Sequence, residues 1–286
     1  MKMKKQLTAI VLCIVLVFAS MLCGCMHESE SEKIRNGYKI DGCLKYYYLE
    51  EEDRYLIVGD IGEYNPETMV IPAYYKGKEV QVGYKSKKDW LSKVFAPSYL
   101  NVECVYFPFA NYDDESFFHA TSLIVKNTIK KIFFCSNFEF LQAENYLGLS
   151  KESIIYFSYP TFLKRMEISS NYTTEKMHLE GSYTMVISSR SRQYRIRVAN
   201  TAYMFNYDGE PNGGYFFINN FDWGKKIDPA PYMPMRNGYE FKGWYKEPEC
   251  INLWNFDSDS LPQESEIGEN PETKLYAGWE KKSGDS

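Results

Sequence analysis

The cysteines have the widest range of possible chemistry in this chain, because thiolates bind metals, form disulfides and act as nucleophiles. Four of the seven lie beyond the first 25 residues and are widely separated, at Cys43, Cys104, Cys135 and Cys250. No C-x-x-C pair occurs among them, which disfavours a structural zinc site. They could form two disulfides in three pairings, but Cys104 and Cys135 stand within apolar runs, which favours buried free thiols.

Histidine, serine and glycine patterns give no support for a catalytic centre. The three histidines, His27, His119 and His178, lie in no recognisable catalytic motif. A serine nucleophile would need a G-x-S-x-G turn and a phosphate loop would need clustered glycines, and the sequence has neither. We therefore expect a chain without enzymatic activity, cofactor or metal; a cell-wall hydrolase is the disfavoured alternative.

Two acidic clusters are the remaining candidates for acid–base chemistry or calcium binding. They are Asp113-Asp114-Glu115 and Asp257-Ser258-Asp259. Nothing in the sequence pairs them in space, and acidic runs on an acidic chain are most often solvated loops. We therefore predict that both are surface loops without a ligand.

Aromatic rings are concentrated in GYEFKGWY, at residues 238–245, where they could stack a sugar or fill a small core. Tyr239 and Phe241 share one face of the predicted strand, and Glu240 and Lys242 share the other. A small domain has little core volume, so large rings are efficient filler. We expect these rings to be core residues, and carbohydrate binding stays an alternative function.

The composition of the chain favours strands as the elements that position these residues. Of the 286 residues, 44% are hydrophobic and 17% aromatic, with 25 Tyr and 18 Phe. Tyr and Phe pack well on a pleated surface. The formal net charge is −5, and an acidic surface repels phosphate backbones. We expect a mainly β protein of one or two domains that does not bind nucleic acid.

The N-terminal segment has a basic start and a long apolar run, which is the pattern of a secretory signal. The run is about as long as a short membrane-spanning helix, so an uncleaved anchor is the alternative. Leu22-Cys23-Gly24-Cys25 resembles a bacterial lipobox. The resemblance implies that Cys25 receives a diacylglyceryl group and becomes the mature N-terminus. The chain would then be held at the cell membrane, on its extracytoplasmic face.

Short strand-like runs recur through residues 37–161. VECVYFPF, KKIFFCSN and SIIYFSYP begin at residues 102, 130 and 153, close to the period of leucine-rich repeats, about 20–29 residues. VIPAYYKGKEVQVG, from residue 70, resembles the opening of BspA-like surface leucine-rich-repeat proteins. The resemblance implies an irregular leucine-rich-repeat-like β solenoid, in which each rung adds one strand to a parallel sheet. A β-rich domain without repeats is the alternative.

Residues 201–281 carry the most specific pattern in the chain. Its parts, F-x-x-D-G, R-x-G-Y-x-F-x-G-W-Y, W-x-F and L-Y-A-x-W, together resemble the InlB B-repeat, also called the Listeria–Bacteroides repeat. The resemblance implies a small β-grasp-like module, and the long stretch 257–274 is expected to form a floppy loop. The matching residues are Phe205, Asp208, Gly209, Gly224, Pro231, Arg236, Gly238, Tyr239, Phe241, Gly243, Trp244, Tyr245, Trp254, Phe256, Leu275, Tyr276, Ala277 and Trp279.

The sequence thus predicts an ordered series of segments. They are a lipoprotein signal peptide (1–24), a polar tether (25–36), the repeat-like β domain (37–161), a β-hairpin connector (162–200), the B-repeat module (201–281) and a polar tail (282–286). We expect a non-catalytic, lipid-anchored bacterial surface protein with a protein partner, acting in recognition or adhesion. A carbohydrate-binding or cell-wall-binding lipoprotein is the alternative.

Overall fold

Strands dominate the structure, a computed structural model that describes residue 33 and residues 37–60, 67–82, 102–107, 129–135, 152–169, 176–180, 183–188 and 193–283. The prediction of a mainly β chain is confirmed. The described elements are helix α1 (Tyr159–Ser169) and strands β1 (Lys39–Asp41), β2 (Leu44–Leu49), β3 (Arg54–Asp60), β4 (Thr68–Val70), β5 (Tyr74–Tyr75), β6 (Lys78–Val82), β7 (Cys104–Phe107), β8 (Lys131–Phe134), β9 (Ile154–Phe157), β10 (Lys176–Leu179), β11 (Thr184–Ser188), β12 (Gln193–Val198), β13 (Thr201–Met204), β14 (Tyr215–Asn219), β15 (Tyr239–Tyr245) and β16 (Thr273–Lys281). None of the helices in these ranges is long and apolar enough to cross a membrane.

The first sheet has the strand order β1-β2-β3-β6-β5 and is antiparallel except between β3 and β6. A two-residue turn, Lys76-Gly77, joins β5 to β6, with φ of +49° and +77°. Positive φ at both central positions suits the right-handed twist of the two strands. The two residues of β5 face opposite ways, so Tyr75 packs on the N-terminal core and Tyr74 on the C-terminal core.

Five strands of the second sheet run parallel, in the order β4-β7-β8-β9-β12. The three strand runs expected at residues 102, 130 and 153 therefore form neighbouring strands of one sheet. Tyr106, Phe133 and Tyr156 stack across β7, β8 and β9, with successive ring centroids 4.4 Å apart. A second stack follows the same strands through Phe107, Phe134 and Phe157.

Helix α1 follows β9 and was not expected from the sequence. Pro160 falls in its first turn, where a missing backbone N–H is tolerated. The predicted boundary at residues 161 and 162 lies inside this helix. Beyond it, β11 and β12 pair antiparallel, as expected for a hairpin, but β12 also pairs in parallel with β9. The segment therefore extends the second sheet. The helical turn expected at 138–149 lies outside the described residues.

The third sheet, with strand order β14-β13-β16-β15, forms the C-terminal module. β13 and β16 run parallel, and the other two pairs are antiparallel. The prediction of a floppy loop at 257–274 is wrong. Leu261 is only 3% exposed, and its backbone N–H donates to the Lys225 carbonyl at 2.9 Å. One apolar side chain in a polar stretch thus anchors the loop to the module core.

The C-terminal module packs directly against the earlier sheets. The Tyr106 hydroxyl donates to Asn219 Oδ1 at 3.0 Å, and Asn212 Nδ2 donates to the Cys135 carbonyl at 2.6 Å. Ala73, beside β5, is buried in the module's own core. The β5–β6 turn and the module therefore share one continuous surface.

Candidate functional site

Strand β15 carries much of the aromatic signature, and a β-bulge decides which of its rings point inward. The pairing with β16 shifts so that Phe241 lies opposite Trp279 and Gly243 lies opposite Gly278. The extra residue brings Phe241 and Trp244 to the same face, with ring centroids 5.1 Å apart. Trp244 is only 5% exposed. Its ring therefore fills the core and cannot hold a ligand.

The other signature residues also have structural roles. The Tyr245 ring lies over Gly278, where a Cβ would overlap it, and Gly238 turns the chain into β15 with a φ of +74°. A core cluster buries Trp254 and Leu275 together with Trp244. The half-buried members are Tyr239, Phe241, Gly243, Tyr245, Phe256, Tyr276 and Trp279. Of the signature residues, only these half-buried ones can contact a ligand.

Arg236 contacts two partly exposed rings, those of Tyr207 and Tyr239. Its guanidinium carbon is 3.7 Å from the Tyr239 ring centre and 4.7 Å from that of Tyr207. Trp279 closes the cluster, because its Nε1 donates to the Phe205 carbonyl at 2.6 Å and its ring meets the Tyr207 ring edge-on. A cation–π contact contributes about 0.5–1 kcal/mol at an exposed site. Two such contacts fix the orientation of the guanidinium.

A groove of about 560 Å³ opens beside this cluster, between the β5–β6 turn and the start of β15. We call it the Arg236 groove, and its defining residues are Tyr74, Lys76, Met235, Arg236, Tyr239 and Lys282. The first two belong to the first sheet and the others to the C-terminal module. The groove therefore exists only because the module packs against β5.

The Arg236 groove is positively charged on a protein whose net charge is −5. Lys76, Arg236 and Lys282 line it, and none of the three forms an ion pair with a described residue. Glu240, the one acidic side chain among the described residues that line it, lies 3.5 Å from Lys242, which also forms an ion pair with Glu280 at 2.8 Å. The groove therefore offers three cations to an anionic ligand.

Burial keeps two phenols beside the groove, those of Tyr74 and Tyr207, protonated at physiological pH. Burial raises the pKa of Tyr74 far above its ordinary value. Burial also raises the pKa of Tyr207, and the nearby Arg236 offsets only part of that effect. Tyr74 and Tyr207 therefore add no negative charge beside Arg236.

The cluster Asp257-Ser258-Asp259 forms a self-contained turn. The Asp259 carboxylate accepts from the Asn255 backbone N–H at 2.8 Å and pairs with Lys246 at 2.8 Å. These two contacts hold the pKa of Asp259 below its ordinary value. Across the described ranges, no group of three His, Cys, Asp or Glu side chains could hold a metal ion.

In the described part of the chain, no disulfide joins any of the four cysteines Cys43, Cys104, Cys135 and Cys250. Cys135 is buried, and burial raises the pKa of the half-buried Cys104 to about 11. Such a thiol is protonated and unreactive at neutral pH. Other candidate positions lie outside the described residues, namely Cys25, His27, His119 and Asp113-Asp114-Glu115, and His178 lies in β10.

Sequence reasoning found part of the Arg236 groove and missed the rest. It singled out Arg236, Tyr239 and Trp279 as signature residues without giving them a contact role. It missed Tyr74 and Lys76, because no local pattern links the β5–β6 turn to the distant β15. Lys282 was assigned to the polar tail, although its backbone N–H donates to the Gly238 carbonyl at 2.9 Å.

Residues 203–277 match the family model of the Listeria–Bacteroides repeat domain. The match runs from β13 into β16 and confirms the repeat predicted there. No curated protein matches the chain. The repeat suggests a bacterial surface-associated protein, and its family is generally non-catalytic.

Proposed function

We propose that this chain is a lipid-anchored protein of the bacterial surface that recognises a protein partner through the Arg236 groove. The observation that carries the proposal is the groove itself, which combines three cations, aromatic rings and exposed methionines on a surface-associated repeat. Aromatic residues, Met and Arg are enriched where proteins bind proteins. The proposed role is therefore recognition or adhesion without catalysis.

The proposed anchor is a diacylglyceryl group on Cys25. Each buried methylene contributes about 0.8 kcal/mol, and stable attachment takes two acyl chains. A diacylated cysteine meets that requirement without a spanning helix. The polar residues up to 36 would then separate the membrane from the first sheet, and the Arg236 groove would face outward from the cell.

We also propose that β4, β7, β8 and β9 are rungs of an irregular leucine-rich-repeat-like solenoid, and that the module is β-grasp-like. The parallel direction and the matched register of these strands support the first part. The four-stranded mixed sheet supports the second. A solenoid would present the module at one end of an extended surface.

The arrangement of the rings favours a protein ligand over a sugar. A sugar stacks on a flat, exposed ring face, but Arg236 covers one face of Tyr239. Trp279 makes edge-on contacts with Tyr207 and Phe241. The rings that line the groove in the described part of the chain therefore form no flat platform for a sugar.

A capture experiment tests the proposed function. Immobilised 26–286 protein would be incubated with cell-wall and host-matrix extracts, in wild-type, Arg236→Ala and Lys281→Ala forms. Lys281 is an exposed cation outside the groove. We expect wild type and K281A to enrich the same protein and R236A to lose it. Equal capture by R236A, or no enriched protein at all, would reject the proposal.

A further inference from the structure

We propose that the Arg236 groove binds an extended acidic peptide segment of the partner, with carboxylates on its cations and an apolar side chain between them. This inference rests on the proposed function, because it names the chemistry of the partner at the same site. It follows from the charge of the groove, from its apolar wall and from the open edge of β15.

The charge of the groove selects an acidic ligand. The guanidinium of Arg236 lies 3.7 Å from the Tyr239 ring centre and 4.7 Å from that of Tyr207, and no described residue accepts a hydrogen bond from its N–H groups. A guanidinium held in this way presents a planar fork that matches a carboxylate. Its orientation is fixed before binding, which reduces the entropy lost when a ligand docks. Lys76 and Lys282 add two further cations at the groove walls.

The apolar wall of the groove selects a ligand with a hydrophobic side chain. Met233 is 69% exposed and Met235 is 40% exposed, and both line the groove. Methionine side chains adapt to varied partners, so exposed pairs of them suit a protein ligand. Pro234 between them is buried and fixes φ, so the backbone of this wall is restrained.

The edge of β15 selects an extended backbone. β15 is an edge strand of the third sheet, and residues 252–254 cover only its C-terminal end, where the Trp254 N–H donates to the Trp244 carbonyl at 2.8 Å. No other described segment makes a backbone hydrogen bond to Glu240, Phe241 or Lys242 on the outer side. An exposed edge of this kind accepts an added strand. A polysaccharide has no amide ladder to offer, which favours a peptide.

Fluorescence anisotropy with a defined probe tests this inference. The labelled peptide EFDLEFD would be titrated with the full chain in detergent micelles, beside its amide counterpart QFNLQFN and an oligogalacturonate. We expect EFDLEFD to bind roughly tenfold more tightly than QFNLQFN, because its carboxylates form charge-assisted hydrogen bonds that the amides cannot form, and tenfold is about 1.4 kcal/mol. Raising the salt concentration should weaken the binding, because exposed charges are screened.

Neighbouring lysines provide the matched control. Lys282→Ala removes a groove cation, whereas Lys281→Ala removes an exposed cation that does not line the groove. Both side chains are exposed, so folding should be unaffected. We expect K282A to weaken EFDLEFD binding about threefold, in the range of an exposed ion pair, and K281A to leave it unchanged.

Three outcomes would overturn the inference. They are equal affinity for EFDLEFD and QFNLQFN, equal weakening by K281A and K282A, and binding of the oligogalacturonate in preference to EFDLEFD. These results are separable from a failure of the proposed function. A partner captured by wild type and lost by R236A would retain the groove as the recognition site while rejecting the acidic peptide.

Discussion

The Glu272 carboxylate accepts a hydrogen bond from the Tyr159 backbone N–H at 2.5 Å, so the C-terminal module supplies an anion to the N-terminus of α1. The same side chain accepts from the Tyr215 hydroxyl at 2.7 Å and is fully buried. The first N–H groups of a helix lack intrahelical partners, and a negative charge is favourable there. Glu272 therefore connects the second sheet to the module that carries most of the Arg236 groove.

The stability of the protein should depend on the protonation of Glu272. Burial raises the pKa of this carboxyl above 4.5, and the hydrogen bonds from Tyr215 and Tyr159 offset only part of that effect. Between the ordinary and the raised pKa, the folded state binds more protons than the unfolded state, so this group's contribution falls as pH rises. Glu272→Gln, which mimics the protonated form, should remove that component. In urea unfolding from pH 4 to 8, the free energy of unfolding of wild type should fall relative to that of E272Q as pH rises. A difference between the two that does not change with pH would contradict this prediction.

Trp244 should be essential for the stability of the module. Trp244→Ala should lower the free energy of unfolding by about 3–5 kcal/mol, because the cavity left by a buried ring cannot be filled. Leu253→Ala is the control, since Leu253 is 55% exposed. Thermal unfolding followed by circular dichroism would measure both. An unchanged melting temperature in W244A would show that the ring is not part of the core.

Position 278 should not tolerate a side chain larger than that of Gly278. A Cβ at this position would overlap the Tyr245 ring, so Gly278→Ala should destabilise the protein by about 1–3 kcal/mol. Gly268→Ala is the matched control, because a Cβ there meets no atom within 4 Å. Chemical denaturation of the two variants would compare them. Equal stability would mean that Tyr245 does not cover Gly278.

The lipid anchor should depend on Cys25 alone. Cys25→Ser removes the thiol that would carry the diacylglyceryl group, so the protein should no longer incorporate a radiolabelled fatty acid during growth. Cys23→Ser, two residues earlier, is the control and should leave the labelling unchanged. Equal labelling of wild type and C25S, or labelling of neither, would show that Cys25 does not carry the anchor.

The parts of the fold that follow local patterns could be predicted from the sequence, and those that depend on distant contacts could not. Alternation in β15 and the ring-rich motif around Trp244 predicted the strand and its core role. Helix α1 was missed because it has no acidic residue in its first turn and no basic residue in its last. The anion at its N-terminus is Glu272, more than one hundred positions away. The Arg236 groove was not predicted for the same reason, because Lys76 comes close to the module only in the folded chain.

Site-specific photocrosslinking in living cells tests whether the Arg236 groove is the recognition site. A photoreactive residue at Met235 lies in the Arg236 groove, whereas one at Ile251, which is 74% exposed, lies outside it. We expect a crosslinked protein species with the probe at position 235, its loss when Arg236→Ala is added, and no such species at position 251. A species formed at position 251 but not at 235 would contradict the assignment of the groove as the recognition site.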